Sequence, residues 1–98
     1  MAYHIALDFT AYNGPIDPKV AATWAQTKIA QANTLVNGNE TYSDAKLATY
    51  YKNRRWLPRR ISKIISESKA KSLESKMPEG LSLLPIYQRF YPEKGLAA

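Results

Sequence analysis

An all-α fold is predicted for these 98 residues: a small three-helix domain with extended aromatic arms at both ends. Three observations predict it. Apolar residues recur at helical spacing over 18–36, three helix-start signals stand at Asp17-Pro18, Ser43 and Pro58, and the apolar stretches at the two ends are short or broken by proline. The implied organisation is an N-terminal extended arm over 1–16, a helical core over 17–77 and a C-terminal docking arm over 78–98.

In the first arm Tyr3, Ile5, Leu7 and Phe9 alternate with His4, Ala6, Asp8 and Thr10, the period of a half-buried strand. A single strand needs a partner, and a helical reading of 3–10 stays open. Asn13-Gly14-Pro15 ends the segment as a turn.

The first helix is expected over 18–36. Asp17 caps it, Pro18 suits its first position, and Asn37-Gly38 supplies a left-handed stop. Trp24 falls on its packed face with Ala21, Ala25, Ile29 and Ala32. The second helix is expected over 43–56, with Ser43 as cap, Asp44 in the first turn and Leu57-Pro58 as the break. A third restarts at Pro58 and runs to 75, with Ile61, Ile64, Ile65 and Leu73 inward. Beyond Gly80, the residues Leu81, Leu83, Leu84, Ile86, Tyr87, Phe90 and Tyr91 are interleaved with Pro85 and Pro92. Three short helices cover that apolar area only in part: the arm either folds back over them or packs on another subunit, with Tyr87, Phe90 and Tyr91 as the expected anchors.

Charge is uneven along the chain. Residues 1–51 hold three Lys against four Asp/Glu, a net of −1; residues 52–98 hold eleven Lys/Arg against four Glu, a net of +7. The focus is Arg54-Arg55-Trp56-Leu57-Pro58-Arg59-Arg60, where four guanidinium groups surround an indole and a proline. At the end of the second helix Arg54 and Arg55 complement the dipole. In the first turn of a helix starting at Pro58, however, Arg59 and Arg60 oppose it, and an anion bridging the four would relieve the conflict. Arg54, Arg55, Trp56, Arg59, Arg60 and Lys63 are therefore the candidate anion- and partner-binding residues. Arg59-Arg60-Ile61-Ser62 also fits the short pattern of a basic-directed phosphorylation site.

Catalytic chemistry has little to stand on. There is no cysteine, His4 is the one histidine, and the four glycines are scattered rather than gathered in a phosphate loop. No catalytic, metal or cofactor site is expected. No apolar run reaches the roughly 18–20 residues of a membrane span, and the first residues lack a signal-peptide pattern, so an intracellular, soluble protein is expected. The expected function is that of a small, basic, non-catalytic structural or accessory subunit packed within a larger multi-protein assembly. The alternative is a nucleic-acid-binding protein that uses the 52–76 track, including Lys69, Lys71 and Lys76, for phosphate contacts.

Overall fold

The computed structural model describes residues 1–86 and shows a mixed α/β fold, not the all-α one expected. Its elements are β1 (Ala2–Leu7), α1 (Pro18–Val36), α2 (Asp44–Arg54), β2 (Arg59–Arg60), α3 (Glu67–Leu73) and β3 (Leu81–Ile86), with 3-10 turns at Phe9–Ala11 and Glu74–Lys76. The strands form one antiparallel sheet in the order β2-β1-β3.

Residues 2–7 and 81–86, expected to be parts of two extended arms, therefore build most of the sheet. β1 is the central strand, and its Ile5, Ala6 and Leu7 are fully buried. All six residues of β3 pair with it, from Ala2 opposite Ile86 to Leu7 opposite Leu81. Pro85 is tolerated because β3 is an outer strand among those described, where a missing N–H need not interrupt a second ladder. The expected anchors Tyr87, Phe90 and Tyr91 lie outside the described residues.

The third helix is the other correction. Residues 59–65 run beside β1 rather than coiling. Arg59 and Arg60 pair with Leu7 and Ala6, the Ile61 N–H donates to the Ile5 carbonyl (2.9 Å), and Tyr3 and Ile65 exchange two backbone bonds (3.0 and 2.8 Å). Between these points Ser62 interrupts the ladder. The Ile5 N–H donates to the Ser62 hydroxyl (2.7 Å), which donates in turn to the Lys63 carbonyl (2.8 Å), and His4 Nδ1 donates to the Ser62 carbonyl (2.7 Å). Ile61 is buried and Ile65 half-buried, whereas Ile64 is 63% exposed. The segment thus meets β1 at Ile61 and Ile65 and turns Lys63 and Ile64 to solvent between them, in extended backbone that β-branched residues suit and not as an inward helical stripe. Helix restarts only at Glu67, where the Ser66 hydroxyl accepts the Lys69 N–H.

Ser62 is thus a backbone partner, which sets aside its reading as a free phosphorylation site. Ser62→Ala leaves the Ile5 N–H without its acceptor and should cost about 1–3 kcal/mol in urea unfolding. An unchanged midpoint would show that another group satisfies that N–H.

The first two helices follow their local signals. The Asp17 carboxylate accepts the Lys19 N–H (2.9 Å) and Pro18 opens α1, which ends at Asn37 in the left-handed region (φ 53°). The Ser43 hydroxyl caps α2 at the Lys46 N–H (3.1 Å). The connection is clamped from α1. Asn33 exchanges two hydrogen bonds with the backbone of Glu40, and the Gln26 amide donates to the Tyr42 carbonyl (2.6 Å) and the Asp44 carboxylate (2.9 Å).

Packing joins the layers. Ala21, Ala25, Ile29 and Ala32 of α1 and Leu47 and Tyr51 of α2 meet Ile5, Leu7, Phe9, Ile61, Leu73 and Leu81 in one core. The alanine stripe lets α1 approach closely. Trp24 is half-buried at the edge of this core, against Phe9 (5.7 Å between ring centroids) and Tyr12 (5.4 Å).

Candidate functional site: a basic aromatic cleft

The segment between α2 and β2 reverses the chain tightly. The Leu57 N–H donates to the Arg54 carbonyl (3.0 Å), and the Tyr50 hydroxyl donates to the Leu57 carbonyl (2.7 Å). Pro58 then enters extended backbone, as proline favours. This turn sets β2 beside the exposed face of α2 and leaves an open cleft of about 790 Å³ between them. Its cations are Lys46, Arg54, Arg59 and Arg60, and its apolar walls include Tyr50 and Leu84. A volume of that size accommodates an anionic group together with whatever it is attached to.

Arg59 is the most constrained of the four. Its guanidinium lies 5.0 Å from the Tyr50 ring centroid and 5.9 Å from that of Tyr42, while Lys46 lies 5.6 Å from the Tyr42 ring. Each such contact is worth about 0.5–1 kcal/mol at exposed sites. The Arg59 Nε is buried and has no hydrogen-bond partner among the described residues. Among the described residues the four cations also have no carboxylate within salt-bridge distance; the ion pairs there join the Met1 amino group and Lys71 to Glu67 (2.8 and 3.6 Å). Four like charges on one cleft repel one another, and a bound anion reverses that sign.

The aromatic walls respond to the same environment. Burial pushes the Tyr42 and Tyr50 hydroxyls above the usual tyrosine range, and Arg59 pulls both back in part. The neutral phenols are therefore favoured in the native state. Above the ordinary value of about 10 the unfolded chain releases protons that the fold retains. Stability should be fully kept below that range and fall as pH rises through it. Tyr42→Phe with Tyr50→Phe should flatten the alkaline limb of the unfolding midpoint; an unaltered limb would remove these two tyrosines as its cause.

The six residues singled out in the sequence divide three ways. Arg54, Arg59 and Arg60 share the cleft. Arg55 and Trp56 lie instead at a small recess with Phe9, Thr10, Tyr12 and Tyr51, where the Arg55 guanidinium sits 5.2 Å from the Tyr51 ring centroid. Lys63 is exposed and lines neither. The expected conflict at a helix start also disappears, because Arg59 and Arg60 belong to β2. Arg54 and Arg55 do end α2, in its last turn and at its cap. Lys69, Lys71 and Lys76 line neither cavity.

Lys46, Tyr42 and Tyr50 were absent from the sequence-derived site. Lys46, Tyr50 and Arg54 stand at i, i+4 and i+8 and share one helix face, so this part was legible. The juxtaposition of that face with Arg59 was not, because it depends on β2 being a strand.

Among the described residues no helix is long and apolar enough to cross a membrane, and no group of three His, Asp or Glu side chains is placed to hold a metal ion. In comparisons with protein-family models, curated proteins and solved structures, nothing matches the chain.

Proposed function

We propose that this protein is a small, basic, non-catalytic accessory subunit that holds an anionic component of a larger assembly in the cleft between α2 and β2. One observation carries the reading: Lys46, Arg54, Arg59 and Arg60 converge on a single cleft without a carboxylate opposite them among the described residues. Guanidinium groups fit carboxylate and phosphate alike through paired N–H donors, and stacking on tyrosine faces holds Arg59 ready to make such bonds. Preordered donors lose less freedom on binding, which favours docking.

The test must reverse the charge of the cleft without disturbing the fold. Reversal at Arg59 is unsuitable, because it replaces a cation stacked on Tyr42 and Tyr50. Lys46→Glu with Arg60→Glu is suitable, since both side chains are exposed and Lys46 gives up a single cation–π contact, with Tyr42, against the two of Arg59. Lys46 is the third helical residue after the Ser43 cap, where a carboxylate completes a capping box and favours the positive end of the dipole. Arg60 is exposed. The double variant should keep the native thermal midpoint to within a few degrees and lose co-elution with the assembly that the native protein carries from its source. Retained co-elution would reject the cleft as the docking site.

A further inference from the structure

We propose that the anionic component is a single-stranded nucleic acid, its phosphates lying on Lys46, Arg54, Arg59 and Arg60 and one base stacking on Trp56. The inference rests on the docking reading above and names the class of its partner. Phosphate and carboxylate recognition share the same guanidinium chemistry, so the cations alone do not choose between them. Trp56 does.

Its indole is 62% exposed, although a tryptophan is among the most favourable side chains to bury. It stands at the recess with Arg55, whose guanidinium is stacked on Tyr51, and with Tyr12 and Phe9 behind. Arg54, two residues away, lines the basic cleft. Successive Cα atoms are 3.80 Å apart, so those of Arg54 and Trp56 are separated by at most about 7.6 Å. Cleft and recess therefore adjoin across the turn that ends α2, and a strand with its phosphates in the cleft has to cross only that turn to lay a base on the indole. Tracking of the backbone by cations with bases on exposed aromatic rings is how sequence-tolerant single-strand binders work. A run of acidic side chains has no flat ring to lay on the indole. A duplex keeps its bases stacked and paired, so it has no free face to offer Trp56.

The experiment titrates the full chain against a labelled oligothymidylate, a duplex of equal charge and an oligoglutamate of equal charge. The single strand should bind tightest. Four phosphate contacts, one for each cation of the cleft, imply about a fifty-fold loss of affinity between roughly 50 and 200 mM salt. Trp56→Ala should weaken the single strand by roughly five- to a hundredfold and leave the oligoglutamate unaffected. Because the side chain is exposed, the thermal midpoint should not move, and Trp56→Phe should restore most of the affinity.

Equal affinity for oligoglutamate and oligothymidylate, or no effect of Trp56→Ala, overturns the nucleic-acid assignment and leaves anionic docking standing. Tighter binding of the duplex also overturns it, since phosphate density then outweighs stacking. If Lys46→Glu with Arg60→Glu changes none of the three affinities, both readings fall together.

Discussion

Phe9→Ala should destabilise the protein by about 3–5 kcal/mol, a large part of the roughly 5–15 kcal/mol that holds a domain folded. Phe9 is 2% exposed and lies where three elements meet. Its ring centroid is 5.7 Å from Trp24 on α1 and 5.9 and 5.3 Å from Tyr50 and Tyr51 on α2. Aromatic pairs of this kind contribute about 0.5–1.5 kcal/mol beyond the area they bury. The loss should also reach the cleft, because Tyr50 has Phe9 on one side and the Arg59 guanidinium over its ring. Urea unfolding gives the stability. Phe9→Leu, which keeps most of the volume, should cost markedly less and still bind anions. An unchanged midpoint in Phe9→Ala would mean that the 3-10 turn after β1 is not part of the core.

Gly80→Ala should cost about 2–4 kcal/mol, from a left-handed backbone and a steric clash acting together. Gly80 is buried with φ at +91°, and its carbonyl accepts the Asp8 N–H (2.9 Å), fixing the point where β3 joins the end of β1. A Cβ at this position would lie 2.8 Å from Trp24 Cζ2 and 3.0 Å from its Cη2. The indole cannot yield easily, because it packs on Phe9 and Tyr12. Trp24→Leu separates the two contributions. Combined with Gly80→Ala it should recover the steric share and leave the backbone share, so the double variant should be less destabilised than the sum of the singles. Strict additivity would rule out the clash.

Both predictions concern features with clear local signals whose roles the fold assigns. Asp17-Pro18, Ser43 and Asn37-Gly38 mark helix ends through bonds made within a few residues, so α1 and α2 were legible almost to their boundaries. The pattern Tyr3, Ile5, Leu7 pointed to a strand but left a helix open, and pairing with β2 and β3 decided for the strand. The chain from 59 to 65 carried weaker information. Ile61, Ile64 and Ile65 fit a short helical stripe, while Ile61 and Ile65 fit a strand interrupted at Ser62, and seven residues do not separate the two periods. Contact with β1 decided between them, since its backbone donors and acceptors required partners that 59–65 and 81–86 supplied.

The candidate site divides along the same line. The sequence by itself determined that the second half is strongly basic, that Arg54 and Arg55 end a helix, and that Lys46, Tyr50 and Arg54 share one face. Those properties follow from composition and from the 3.6-residue period. Only the tertiary structure decided that Arg59 and Arg60 lie in a strand, that Arg59 stacks on Tyr42 and Tyr50, and that Arg55 and Trp56 stand at a separate recess. The physical reason is range. A helix satisfies its backbone with bonds four residues apart, whereas the strands here take theirs from residues more than fifty positions away.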